Sequence, residues 1–164
     1  MRLILYEPDI PQNAGALMRL GACLGVGVDI VEPCGFVWDD RRIRRAGMDY
    51  RALADVRRHS SWQAYCAATA GQRQILLTTR SAVPHVSFQF RANDHLILGR
   101  ESGGVPQEIA DHADAALRIP MADGARSLNV ATAGAIVLAE ALGQTDLWPQ
   151  SSPEVSPAHD CTDE

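Results

Sequence analysis

Short apolar runs of strand length recur along this chain, and a stretch with helical spacing separates nearly every pair of them. RLILYE at 2–7, VDIVE at 28–32, QILLTT at 74–79, HLIL at 95–98 and ALRIPM at 116–121 read as strands, with VRRH at 56–59 as a shorter one. Helices are expected over 14–24, 39–46, 61–69, 106–112 and 127–142. Strands that alternate with helices are joined by crossovers and run parallel, and a parallel sheet needs cover on both faces. The expected fold is therefore α/β, a single domain with a mainly parallel sheet covered by helices. A chain of 164 residues has room for one such domain and shows no internal repeat.

Ligands of such sheets bind at the carboxyl ends of the strands, so the loops there are the place to look. The first strand ends Glu7-Pro8-Asp9-Ile10-Pro11, with prolines where a dinucleotide-binding loop needs glycines, and no P-loop sequence occurs anywhere. The glycine-rich turn comes late, in LGRESGGVP at 98–106, and carries Glu101 at its centre. A carboxylate there disfavours phosphate. What such a turn holds is left open by the residues alone.

Two other stretches hold candidate residues. In IPQNAGALMRLGACLG (10–25) a helical wheel turns Leu17, Met18, Gly21, Leu24 and Gly25 toward the core. Gly15 and Arg19 then share the opposite face, with Ala22 nearby and Asn13 at the cap. Arg19 stands on a face cleared of bulk beside a helix N-terminus, which favours a docked anion; the plainer reading is a solvated arginine. In RIPMADGARSLNVATAGAIVLAEALG (118–143) a strand ends at Ile119-Pro120-Met121 and a polar loop follows. Ser127 opens a helix interrupted only by Asn129, Thr132 and Glu140. A helix so apolar is buried on more than one side, either in the core or against a second subunit.

The formal net charge of −5 hides a balanced body. Residues 144–164 hold five acids and no arginine, so 1–143 carry 15 arginines against 15 acids. That tail, rich in proline and serine, sets the expected division: a domain at 1–148 and a disordered or loosely draped segment at 149–164. Seven arginines fall within 41–58. They form either a solvated face or a grip for a polyanion. If 39–46 is helical, Arg41, Arg44 and Arg45 share one face with Ile43 opposite. Scattered cysteines (Cys23, Cys34, Cys66, Cys161) suggest a reduced, cytoplasmic chain without structural metal. No apolar run reaches the ~18 residues of a membrane span, and the acid at Glu7 marks the N-terminus as a strand and not a signal peptide.

N13-x-G15-x-x-x-R19, L98-G-R-E-S-G-G-V-P106, and I119-P-M with R126-S-L-N129 resemble the three ordered motifs of the SPOUT-class (SpoU/TrmH-type) RNA ribose methyltransferases. GFVWDDRRIRRAGMDY (35–50) and LYEPDIPQN (5–13) resemble the small TrmL-like branch. That branch methylates the ribose 2′-oxygen of the wobble nucleotide, position 34, a cytidine or modified uridine in the tRNA anticodon. The likeness runs over residues 2–142.

The resemblance implies a deep trefoil knot in the C-terminal third, S-adenosyl-L-methionine as cofactor, and a homodimer whose sites draw on both subunits. It implies the anticodon stem-loop as partner, with leucine tRNAs the expected substrates. Carried over by position, the cofactor pocket uses Leu77, Gly99, Ile119, Met121 and Ser127. Position 100 departs from the pattern, being arginine where the family often has proline or a small residue. Arg19 is the implied catalytic residue. A guanidinium with a pKa above ~12 is a poor proton acceptor, so stabilising a developing alkoxide or holding a phosphate suits it better. Asn129 is expected to orient the ribose or brace Arg19, and Glu101 to fix its loop through backbone amides. Asn13, Arg41, Arg44, Arg45 and Arg126 are the expected RNA contacts. The alternatives are another tRNA or rRNA ribose as target, or a non-catalytic knotted RNA-binding relative.

Overall fold

The computed structural model describes residues 1–38 and 55–150. The elements run β1 (Arg2–Tyr6), α1 (Pro11–Leu24), β2 (Gly27–Val31), β3 (Val56–His59), α2 (Trp62–Ala68), β4 (Gln74–Leu77), a 3₁₀ turn (His85–Ser87), β5 (His95–Leu98), α3 (Gln107–His112), β6 (Ala115–Leu117) and α4 (Val130–Thr145). Among the described residues the six strands form one sheet in the order β3-β2-β1-β5-β4-β6, and each neighbouring pair is parallel. The helix expected over 39–46, with Arg41, Arg44 and Arg45, lies outside the described residues, as does the tail from 151.

Alternation along the strands divides the core between the two faces. Leu3, Leu5, Val28, Ile30, Leu96 and Leu98 meet Leu17 and Met18 of α1 and Val137, Leu138 and Leu142 of α4. Ile4, Tyr6, Val31, Leu76 and Ile97 point the other way, onto Tyr65 of α2 and Ile109 of α3. With both faces covered, β2 and β5 are buried at every position. Each fully buried leucine or isoleucine contributes about 1.5–3 kcal/mol. The small residues of α4 let it approach closely: a Cβ added at Gly134 would sit 2.7 Å from Leu17 Cδ2.

Several expectations need correction. The strands at 74–79 and 116–121 stop at Leu77 and Leu117, where the Thr78 amide donates to the Leu117 carbonyl and the chain turns away. Helix α1 starts at Pro11 and not at 14, because proline is preorganised for the first helical position and needs no donor there. Asn13 is consequently buried inside the first turn and is not a cap; Ile10 holds the cap position without a side-chain bond. Gly25 is the exposed left-handed end of α1 at φ 66° rather than part of the core, Leu24 is half-buried, and Gly15 is buried rather than open. Helix α4 begins at Val130, with Asn129 as its N-cap and Ser127 in the exposed loop before it. Its core side is Gly134, Val137, Leu138, Ala141 and Leu142. Thr132 and Ile136 face outward, so within one chain the helix is buried on one side only.

Candidate active site

The carboxyl ends of β4, β5 and β6 open into a cleft of about 770 Å³. Parallel register makes the site: Leu77 lies beside Leu98 on one side and Leu117 on the other, so the loops that follow start level. Leu77, Gly99, Ile119, Met121 and Ser127, expected from positions spread over the chain, all line this cleft together with Asn13 and Asn129.

The loop after β5 is a closed turn. Arg100 N donates to Gly104 O at 2.9 Å, and Gly104 N donates back to Arg100 O at 2.8 Å. Gly104 has φ 71°, and a Cβ on Gly99 would come within 2.6 Å of the Gly104 backbone, so the turn requires glycine at both positions. Glu101 projects from it to α1. One carboxylate oxygen accepts the Asp9 amide at 2.8 Å, and the other accepts Asn13 Nδ2 at 2.9 Å. Asn13 Oδ1 accepts Asn129 Nδ2 at 2.9 Å, and Asn129 Oδ1 accepts the Ala131 and Thr132 amides at the start of α4. One hydrogen-bonded line therefore joins the glycine turn, the first helix and the last helix. Glu101 does fix loops through a backbone amide, but that amide belongs to the loop after β1. Asn129 braces Asn13 and the start of its own helix.

A second tie runs beside the first. Asp9 accepts the Ser102 amide at 3.0 Å and its hydroxyl, and Arg100 reaches Asp9 at 3.2 Å and Glu7 at 3.1 Å. Those Ser102 bonds, followed by Arg100, hold the Asp9 carboxyl below its ordinary range. Burial, reinforced by the Glu7 carboxylate, pushes the Tyr6 hydroxyl up to about 12. The arginine at position 100 thus neutralises two acids and pins the turn to the β1 exit.

Arg19 is exposed on α1 and is not among the residues lining the cleft. It lies six residues past Asn13, ~9 Å along the helix and well round its circumference. Arg126 is exposed next to Ser127. Thr78, Thr79, Arg80, Ser81, Gln107 and Asp111 also line the cleft and were not anticipated. The one sequence signal for them was the polar end of QILLTT.

The parallel α/β sheet carries its cleft at the strand ends, lined from three separated stretches of the chain. Similarity to known proteins assigns the family. The SpoU rRNA Methylase family model matches residues 1–139, and the chain belongs to that family. A tRNA (cytidine(34)-2'-O)-methyltransferase of Ancylobacter novellus is 54% identical over 147 residues, covering 88% of this chain and 93% of the relative. The enzyme of the same name from Escherichia coli is 40% identical over 146 residues, covering 88% and 93%. A structure from work on "the 2-OH methylation of C/U34 on tRNA" superposes with a TM-score of 0.83 at 38% identity, covering 87% of this chain and 94% of that one. An AdoMet-bound rRNA methyltransferase from Sinorhizobium meliloti gives 0.77 at 26% identity, covering 87% and 55%.

Proposed function

We propose that the chain methylates the ribose 2′-oxygen of wobble nucleotide 34 in tRNA, using S-adenosyl-L-methionine and acting as a homodimer. The observation that carries this reading is the Glu101–Asn13–Asn129 line, which holds three separated motifs around one cleft. The cleft suits the cofactor chemically. Leu76, Leu98, Ile119 and Met121 offer an apolar wall, the turn offers main-chain groups, and Glu101 and Asp111 are compatible with a cationic ligand that bears no phosphate. When bound, S-adenosyl-L-methionine supplies an electrophilic methyl group. The protein's contribution is then position and field, and alignment of reactants lowers a barrier by up to ~7–11 kcal/mol.

Arg19 supplies positive charge to the 2′-oxygen or to the adjacent phosphate. Because its own cleft excludes it, it serves the cleft of a second copy. The exposed apolar side chains Leu128 and Ile136 offer a face for that copy. Asn13 acts as a positioning residue, its amide committed on both sides. Arg126, at the cleft rim, and Arg41, Arg44 and Arg45 are the proposed phosphate contacts. The trefoil threading that the family resemblance implies is part of the same reading. Among the described residues no helix is long and apolar enough to cross a membrane, and a tRNA substrate makes the cytoplasm the proposed location.

The test is methyl transfer to tRNA transcripts, leucine acceptors first, read by nucleoside mass spectrometry. Expected is a ribose-methylated nucleoside at position 34; methylation elsewhere, or none together with no heat on titrating S-adenosylhomocysteine, overturns the reading. Sedimentation should give twice 17.8 kDa. A stable monomer at micromolar concentration would remove the shared-site role of Arg19.

A further inference from the structure

Beyond the cleft, a second polar and aromatic cluster occupies the same edge of the sheet. After β2 the chain passes through Phe36, Val37 and Trp38, and the arginine-rich segment begins at the next residues. The Phe36 and Trp38 rings stack at 6.3 Å with 23° between their planes, and both pack against the core. Arg58 of β3 lays its guanidinium over the Trp38 ring, 4.6 Å from the centroid. Glu32 holds that guanidinium from the side, accepting its Nε at 3.1 Å and also one terminal nitrogen. The guanidinium thus touches both the tryptophan ring and a carboxylate, yet the side chain stays 44% exposed. Val37 beside it is 89% exposed.

We propose, building on the tRNA reading above, that the Arg58–Trp38 stack is a docking platform for an unpaired base of the anticodon loop, next to the nucleotide being methylated. Three features support this occupant. A guanidinium plane backed by aromatic rings is a surface on which RNA bases stack, whatever their identity. Held by Glu32 and Trp38, Arg58 loses little freedom when a base arrives. The position also fits: β3 is three strand spacings from β5, ~14 Å, along the edge at which the cleft opens. The sequence between Trp38 and Arg58 is rich in arginine, a composition that favours a polyanionic partner. The platform reads a base; the other arginines hold the strand.

The experiment uses the full chain and an anticodon stem-loop RNA carrying 2-aminopurine beside position 34. Arg58→Lys keeps the charge but loses the plane, at an exposed site where folding is not at stake; Trp38→Leu removes the backing ring, with a thermal melt to confirm folding. Expected for Arg58→Lys is binding weakened about five- to fifty-fold with an unchanged salt slope, and loss of the 2-aminopurine quenching seen with the wild-type chain. Wild-type affinity and quenching in Arg58→Lys would overturn the platform. So would an Arg58→Ala variant whose salt slope drops by about one while Arg58→Lys is normal, since that marks a phosphate contact. If the wild-type chain methylates tRNA and Arg58→Lys matches it, the platform alone fails. If the wild-type chain binds no RNA, the functional reading fails first and the platform with it.

Discussion

The two ends of the sheet are both threaded with polar bonds, but differently. At the amino end the partners sit on or next to the strands themselves. Asp29, midway along β2 and fully buried, takes Arg2 from the amino end of β1 and faces His59, which reaches it from the far end of β3, at 2.5 Å. His95 of β5 meets the Tyr65 hydroxyl of α2 at 2.8 Å, and buried Asp94 pairs with Arg73 at 2.6 Å. At the carboxyl end the partners sit on loops: Glu7, Asp9, Arg100, Glu101 and Ser102, with Asn13 and Asn129 at helix starts. Strand-borne bonds close the sheet and leave no space. Loop-borne bonds span a gap and keep it open, which is how one scaffold provides a dry end and a cleft. Damage at the amino end should therefore appear as lost stability, and damage at the carboxyl end as lost turnover.

The largest effect expected is on the dry end. Asp29→Ala leaves Arg2 and His59 without their shared buried carboxylate and should cost about 3–5 kcal/mol in denaturant unfolding, while turnover of the protein still folded stays normal. A turnover defect at full folding would dissolve the contrast between the ends.

Next comes Arg19→Ala. Removing a donor to developing negative charge costs about 10²–10³ in kcat. Unfolding and S-adenosylhomocysteine affinity should stay near wild type, since in the proposed role Arg19 meets the ribose oxygen or the adjacent phosphate and not the cofactor. Arg19→Lys separates charge from planar geometry: strong residual activity favours charge. Normal methylation by Arg19→Ala would place the chemistry elsewhere.

The third effect depends on pH. Burial lowers His95 from 6.5 to about 4, so the unfolded chain binds its proton more readily. The stability carried by the neutral ring is complete above pH 6.5 and is lost as pH falls toward 4, about 3 kcal/mol in all. His95→Gln keeps an acceptor for Tyr65. Unfolding midpoints of the two proteins should converge between pH 7 and pH 4.5; parallel curves would show that His95 does not titrate this way.

The smallest effect is at Glu101→Gln, which keeps one acceptor and turns an amide toward the other donor. Expected is a loss of ~1–3 kcal/mol in stability, with a fall in kcat/KM larger than that of any amino-end variant of equal stability. Equal falls would mean that the line stabilises without positioning.

Local pattern alone determined the α/β class, because the spacing of apolar residues reports which faces of an element are covered. The family resemblance, and not the local pattern, pointed to Leu77, Gly99, Ile119, Met121 and Ser127, and all five line the cleft because parallel strands bring their ends to one edge. Tertiary structure decided what joins them. Glu101 and Asn13 are 88 residues apart, and Asn13 and Asn129 are 116 apart. A hydrogen bond of that range depends on where two helices begin and how deeply they pack, and Pro11 and Asn129 moved both starts by three residues from the expected ones. Periodicity can turn Arg19 outward, but only the packed helix shows that outward means away from its own cleft. A wheel encodes direction around one axis, and the site is set by the angles between several.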